Sequence, residues 1–164
     1  MTGTISAPHI DERPEQPTLG IRVQTPMKGL SQAADKLLKE LQRWLAANHV
    51  RPAGPFFRRY YVIDMQDIMD IEVGCITGAP LPGDARVQPG GLPAGRYASL
   101  VYTGSGLKGN KALLDWAHTN GLQWDRWKEP GGDAFRCRYE SYLTDPQSQP
   151  RKTLWEIEVT IKLL

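Results

Sequence analysis

The sequence is poor in cysteine, nearly balanced in charge and without any long apolar run. Two cysteines in 164 residues are too few for a disulfide-stapled scaffold. Cys75 and Cys137 lie beside apolar residues in strand-like runs, so we expect buried free thiols. No stretch approaches the roughly 20 apolar residues of a membrane helix, and the N-terminus lacks the pattern of a secretory signal. These absences predict a cytoplasmic protein with no membrane partner.

Charge and metal-ligating residues exclude further classes of function. The formal net charge is only +2, and Lys and Arg are scattered, so we expect no direct contact with nucleic acid. His9, His49 and His118 are far apart, and no Cys–His spacing indicates a metal site. We therefore predict no metal and no cofactor. The chain also lacks the Gly-x-Ser-x-Gly elbow of serine hydrolases.

Three glycines match the sequence pattern of a dinucleotide-binding loop. Gly104, Gly106 and Gly109 spell G-x-G-x-x-G between a predicted strand and a predicted helix. A dinucleotide site of this type needs buried parallel strands, whereas the strand that follows alternates as an antiparallel strand does. We interpret the glycines as a flexible rim of a pocket.

The chain divides into a short arm and one domain. Residues 1–18 contain Pro8, Pro14 and Pro17 among polar residues, which predicts a flexible or edge-packed N-terminal arm. Residues 19–164 are long enough for one α+β domain with its own core. We predict two halves, at about 19–78 and 86–164, each with the order strand, helix, strand, strand.

Hydrophobic periodicity gives the elements of each half. The first half is predicted to contain a strand, a helix and two strands, at 19–25, from Ser31 to about Asn48, 56–64 and 69–77. The second half repeats this order, with a strand at 96–103, a helix closed by Asn120 and Gly121, and strands at 135–143 and 153–163.

The two halves repeat short sequences as well as element order. Each predicted helix ends with a Trp followed four residues later by an Asn, at Trp44–Asn48 and Trp116–Asn120. An acidic residue followed by Ile-Glu-Val recurs in the last strand of each half. We infer a duplicated βαββ unit with pseudo-twofold symmetry. Such a pair makes antiparallel sheets with two helices around a central groove, where ligands are often bound.

Five segments form a recognisable series, at Gly54–Tyr60, Asp70–Gly74, Leu92–Ala98, Glu140–Pro146 and Trp155–Val159. In this order they resemble successive motifs of one family, the GyrI-like small-molecule-binding domain. The resemblance covers about residues 19–164. The same domain forms the effector-binding half of AraC-type and MerR-type multidrug regulators. In this sequence no DNA-binding region precedes the fold, so we expect no direct role as a transcription factor.

The resemblance implies a central aromatic pocket with a buried glutamate that accepts cationic, flat or lipophilic drugs. That glutamate is Glu140 here. Some free-standing members resemble hydrolases that open the cyclopropane rings of DNA-alkylating compounds, which is an alternative function of the same pocket. A second alternative is a protein-interaction module of the gyrase-inhibitor kind. We expect a small-molecule partner, and a homodimer stays open.

Alternation along the strand 135–143 places Glu140 on one face with Tyr142, Arg136 and Arg138. From periodicity alone this pattern favours a solvated glutamate paired with an arginine, whereas the resemblance favours the pocket. In a hydrolase, Glu140 would activate a water and Tyr142 would stabilise the phenolate that develops on the substrate. These two are the candidate catalytic residues.

The candidate ligand-binding residues are Glu140 and aromatic residues whose faces suit flat or cationic molecules, although each aromatic could equally belong to the core. They are Tyr60, Tyr102, Trp116, Tyr142 and Trp155. The glutamates of the repeated strands alternate with Ile and Val, which favours an exposed face for Glu72, Glu156 and Glu158.

Overall fold

A computed structural model describes residues 3–64 and 66–164. Within these residues the chain forms ten β strands, two α helices and one short 3-10 helix. The strands are β1 (His9–Arg13), β2 (Gln16–Pro26), β3 (Phe56–Ile63), β4 (Ile68–Ile76), β5 (Gln88–Leu92), β6 (Gly95–Tyr102), β7 (Arg126–Glu129), β8 (Gly132–Phe135), β9 (Arg138–Tyr142) and β10 (Ile157–Lys162). The helices are α1 (Leu30–Ala47), α2 (Gly106–Thr119) and the 3-10 turn Lys152–Leu154.

The strands form one antiparallel sheet with the order β1-β6-β10-β9-β3-β4-β2-β5, and the β7–β8 hairpin joins it through β3. The unit β2-α1-β3-β4 fills one side of this order and β6-α2-β9-β10 fills the other. The two units meet where β3 pairs with β9. The predicted α+β fold with duplicated βαββ units and pseudo-twofold symmetry is therefore confirmed.

The register shows which residues correspond in the two halves. When β4 and β10 are aligned through their Ile-Glu-Val sequences, Tyr60 on β3 corresponds to Tyr142 on β9. In the same alignment Arg58 corresponds to Glu140. Arg58 and Glu140 are also direct cross-strand partners in the β3–β9 pair. The pseudo-twofold axis thus passes between an arginine and a glutamate.

Both helices pack on one face of the sheet and cover the main core. This core combines leucines of α1 and α2 with the inward residues of the central strands. Each helix ends in the same way, because the side-chain amides of Asn48 and Asn120 donate to the carbonyls of Trp44 and Trp116, at 2.9 and 2.8 Å. Neither helix is long and apolar enough to cross a membrane.

The predicted strand 135–143 is wrong in one respect, because the chain bends at residues 136–137 between β8 and β9. The pairing of β3 shifts between Tyr60 and Val62, and β8 and β9 pair with β3 on either side of this shift. The backbone NH of Arg136 instead donates to the carbonyl of Asp125. Arg136 is exposed and does not share the face of Glu140.

Two other segments have secondary structure beyond the predicted elements. Residues 9–13, within the segment predicted as a flexible or edge-packed arm, form β1 and pair with β6 at one edge of the sheet. The opposite edge is β5, which pairs with β2. β10 is shorter than the predicted 153–163, because residues 152–154 form the 3-10 turn.

The face of the sheet opposite the helices carries a smaller core built from Phe57, Leu92, Tyr97, Cys137 and Tyr139. Both thiols are free and buried, as predicted, and burial raises the pKa of the Cys75 thiol to about 11.

Glu72 contradicts the prediction of an exposed side chain. It is buried on this opposite face, where it accepts a hydrogen bond from the Tyr61 hydroxyl at 3.0 Å. A Cβ on Gly20, a diagonal neighbour of Glu72 on the paired strand β2, would lie 2.4 Å from Glu72 Oε2, so the missing side chain of Gly20 makes the space that Glu72 fills. Burial raises the pKa of the Glu72 carboxyl.

The glycine motif has a packing explanation. Gly109 lies on α2 directly against Tyr102, and a Cβ there would come within 2.5 Å of the Tyr102 ring. Gly104 has φ of 82°, a left-handed conformation that glycine adopts without steric cost. The glycines let α2 approach the end of β6 closely, and the surrounding sheet is antiparallel.

We expect Gly109→Ala to lower the free energy of unfolding, although alanine is by itself the better helix former by about 1 kcal/mol. The added methyl group collides with a buried ring, and such overpacking costs about 1–3 kcal/mol. Urea denaturation measures the difference. Gly131→Ala is the control, since its Cβ meets no atom closer than 3.9 Å. Equal stabilities of the two variants would contradict this packing.

Candidate functional site

A cavity of about 530 Å³ opens on the helix-bearing face, beside the first turns of both helices. Most of its wall is apolar, and the aliphatic residues are Met27, Leu30, Ile63, Met69, Leu107 and Leu114. The size lies within the usual range of ligand sites. Polar side chains are confined to the sheet end of the wall and one edge of α2.

Glu140 lies at the sheet end of the cavity with only 8% of its surface exposed. Its Oε2 accepts a hydrogen bond from the Tyr60 hydroxyl at 2.8 Å. Its Oε1 accepts a hydrogen bond from the Tyr102 hydroxyl and a longer one, 3.3 Å, from the Asn110 amide. The carboxylate is therefore held by neutral donors from β3, β6 and α2.

A smaller cavity of about 120 Å³ adjoins Glu140 and Tyr102. Tyr142 and Trp155 line it, with their ring centroids 5.9 Å apart. The predicted ligand-binding residues thus divide into two groups, because Tyr60 and Tyr102 face the larger cavity while Tyr142 and Trp155 face the smaller one.

Trp116 lines neither cavity. It packs against the main core near the end of α2. Trp116 therefore has the alternative role of a core residue. Asn110 and Arg58 were not predicted as site residues. Arg58 could have been found from sequence by aligning the two repeats, which sets it in the position equivalent to Glu140.

Two arginines flank Glu140. Arg138 shares its face of β9, as predicted, and Nη2 donates to Asn110 Oδ1 at 2.9 Å. Arg58 lies opposite Glu140 on β3 and makes a long contact, 3.4 Å, from Nη1 to the Tyr60 hydroxyl. The Nε atoms of both guanidinium groups are buried and have no hydrogen-bond partner among the described residues.

A second cavity of about 550 Å³ lies between the end of α1 and residues 145–147. Tyr142 also contributes to its wall. The acidic residue there, Asp145, is exposed, whereas the cavity at Glu140 combines a buried carboxylate with a mostly apolar wall. We therefore take the cavity at Glu140 as the candidate site.

The chemistry of the site follows from the protonation of its hydroxyls. Burial, reinforced by the negative charge of Glu140, raises the pKa of both Tyr60 and Tyr102 far above the ordinary value. Both hydroxyls keep their protons at neutral pH and donate. Among residues 3–64 and 66–164, no group of three His, Cys, Asp or Glu residues is arranged to hold a metal.

All six tyrosines should resist ionisation while the protein is folded, because burial is the largest cause that raises the pKa of each. The most accessible case is Tyr61, with a pKa of about 12. Unfolded tyrosines ionise near pH 10. The stabilisation from the protonated hydroxyls is thus complete below about pH 10 and is lost as the pH rises through the folded values.

Near-ultraviolet absorbance of phenolate, recorded with circular dichroism, tests this expectation. We expect little phenolate in the folded protein at pH 10–11, and ordinary titration near pH 10 in concentrated urea. Ionisation of several tyrosines near pH 10 without loss of native circular dichroism would contradict the buried hydroxyl arrangement.

Comparison with curated protein sequences finds no match. Several solved structures share the fold at low sequence identity. The EcmrR–DNA complex matches with a TM-score of 0.73 and 14% identity, over 96% of this chain and 57% of that chain. The EcmrR C-terminal domain matches with a TM-score of 0.68 and 14% identity, over 100% of this chain and 99% of that one. The chain thus spans little more than half of the longer EcmrR chain.

Two further structures share the fold at similarly low sequence identity. A hydrolase from Listeria innocua matches with a TM-score of 0.60 and 13% identity, over 96% of this chain and 91% of that chain. A protein bound to tetraphenylphosphonium matches with a TM-score of 0.58 and 8% identity, over 97% of this chain and 94% of that chain. At these identities the likeness concerns the fold. The family described as "GyrI-like small molecule binding domain" matches residues 6–164, and the chain belongs to this family.

Proposed function

We propose that the protein binds a bulky, largely apolar, drug-like small molecule in the cavity at Glu140, and thereby sequesters or senses it. The observation that carries this proposal is a buried carboxylate, fixed by Tyr60, Tyr102 and Asn110, on the wall of an apolar cavity of about 530 Å³. Membership in a family of small-molecule-binding domains supports it.

The apolar and polar groups of the cavity have the separate roles that are usual in ligand sites. Aliphatic walls supply affinity in proportion to the apolar area that they bury, at about 25 cal/mol per Å² before the costs of association. A few fixed polar groups orient the ligand. Glu140, Asn110 and Arg138 are grouped at one end, which favours a molecule with one polar end and an apolar body. Lipophilic cations stay among the candidates, and the tetraphenylphosphonium-bound structure supports including them.

Filling part of the cavity should weaken binding. Leu114 lies on its wall and is partly buried, so we expect Leu114→Trp to occupy part of the volume and to lower the affinity for phenylnaphthylamine about tenfold or more. Fluorescence of the directly excited probe measures the affinity, and thermal melting checks that the variant is folded.

Leu164→Trp is the matched control, because Leu164 is exposed at the end of the chain and lines none of the cavities described here. We expect it to bind as the wild type does. Equal binding by the folded Leu114→Trp protein would show that the probe occupies another place.

A hydrolase that opens cyclopropane rings is the second candidate. Glu140 Oε2 accepts one hydrogen bond, from Tyr60, and a carboxylate oxygen has capacity for a second. A water bound there could attack a strained ring carbon, so that a C–O bond forms as the ring C–C bond breaks. The electron pair then moves into the conjugated ring system and generates a phenolate, while Glu140 accepts the proton of the water. Tyr142 stays the predicted stabiliser of that phenolate, and the neighbour named a hydrolase supports the class.

Mass spectrometry separates the candidates. If the protein is the hydrolase, a cyclopropane-bearing alkylator gains one water with the wild type and with Glu156→Gln, whose glutamate is exposed, but not with Glu140→Gln. This result would make the protein an enzyme. Retention of the unmodified compound by the wild type would favour a binder. If the compound is neither retained nor hydrolysed, this ligand class is wrong, and the protein-interaction module becomes the stronger alternative.

A further inference from the structure

We infer that the cavity at Glu140 prefers an amphipathic ligand whose polar end is an anion, such as a carboxylate or a sulfonate. This inference rests on the proposed binding function and specifies its ligand class. It concerns the charge that surrounds Glu140, which differs from the charge of a lone buried glutamate serving as counter-ion for a cation.

Positive charges outnumber negative charges around Glu140. Arg58 and Arg138 lie on either side of Glu140, which gives two cations for one anion. Arginine stays protonated at all ordinary pH values. The other charged residues that line these two cavities compensate one another, because Lys111 pairs with Asp115 and Lys152 pairs with Asp35. Taken together, the two adjoining cavities therefore carry an excess of positive charge, which comes from Arg58 in the wall of the smaller one.

The guanidinium groups of Arg58 and Arg138 have few partners. Neither Arg58 nor Arg138 forms an ion pair with a carboxylate in the part of the chain that the structure describes. A guanidinium has five N–H donors, and each of these two makes one side-chain hydrogen bond, to Tyr60 and to Asn110 respectively. The buried Nε donors have no partner. The terminal nitrogens keep further N–H donors beyond these single bonds, and a planar anion could satisfy such donors in pairs.

Neutral donors hold the Glu140 carboxylate in place. Its oxygens already accept hydrogen bonds from Tyr60, Tyr102 and Asn110. These donors are neutral, so they fix the carboxylate without cancelling its charge, and the nearby arginines provide the opposing charge. Glu140 thus acts as the acceptor that orders the polar wall, and its negative charge is outweighed before a ligand enters.

The helices act in the same direction. Leu30 and Gly106, the first residues of α1 and α2, both line the cavity. Neither helix has an acidic residue in its first turn, although the Ser105 side chain caps α2 by accepting from the Lys108 NH. No acidic side chain of the first turns therefore offsets the partial positive charge of these helix ends, which favours an anion close to them.

Three probes test the inference. Anilinonaphthalene sulfonate and phenylnaphthylamine share one apolar skeleton and differ by the sulfonate, and tetraphenylphosphonium is a bulky cation. We expect the sulfonate to bind about tenfold more tightly than the neutral probe, and the cation to bind most weakly, because the site carries excess positive charge. Direct probe fluorescence measures the first two, and competition against the neutral probe measures the third.

Substitutions assign the preference to the site. Arg138→Gln should lower the affinity for the sulfonate about tenfold and leave the neutral probe within about threefold, because only the anion loses its partner. Arg136→Gln is the matched control, since it removes the same charge from an exposed side chain two residues away, and both probes should bind it as they bind the wild type. If Arg138→Gln fails to fold, Arg138→Lys is the substitute test. It keeps the charge and should retain much of the preference for the sulfonate over the neutral probe.

Glu140→Gln gives a further test with the opposite sign. Removal of the negative charge should tighten binding of the sulfonate further, so that the order of affinities seen with the wild type is kept. A glutamate that serves as counter-ion would instead give a wild type that prefers the cation and a variant that has lost this preference. Equal affinity of the sulfonate and the neutral probe, or tighter binding of the cation, would overturn the inference and leave the binding function intact. Failure of all three probes to bind in the cavity would overturn the proposed function, and the inference with it.

Discussion

The antiparallel pairing of β3 with β9 is the contact on which the site depends. It joins the two βαββ units into one sheet and sets Arg58 directly opposite Glu140. It also brings Tyr60 within hydrogen-bonding distance of Glu140. A slip of one residue in this pairing would move every side chain of one strand to the other face. The cavity would then lose its carboxylate if β9 moved, or Tyr60 if β3 moved.

Much of the fold could be predicted because its determinants are local. The Trp-to-Asn spacing at the end of each helix is a capping arrangement, and its two occurrences form the same hydrogen bond. The repeated Ile-Glu-Val sequence indicates equivalent strands in the two halves, and the sheet order has that symmetry. The position of Glu140 followed from a family motif, since alternation alone favoured a solvated side chain.

The details that escaped prediction depend on pairing between distant segments. Glu72 is buried because Gly20, its diagonal neighbour on the paired strand, has no side chain, which the alternation of its own strand does not reveal. Arg136 leaves the face of Glu140 because β3 shifts its pairing between β8 and β9. Asn110 reaches Glu140 from α2, and α2 lies this close only because Gly109 packs against the ring of Tyr102.

The pseudo-twofold axis between Arg58 and Glu140 has an evolutionary consequence. Two separate copies of a half-sized ancestor, assembled as a symmetric dimer, would place identical residues on both sides of such an axis. Like charges would then face each other in the centre of the sheet. Covalent fusion of the copies removes that constraint, because each position mutates by itself. Unlike charges on the axis are accessible once the two copies differ in sequence, and each side of the axis can then change without its counterpart.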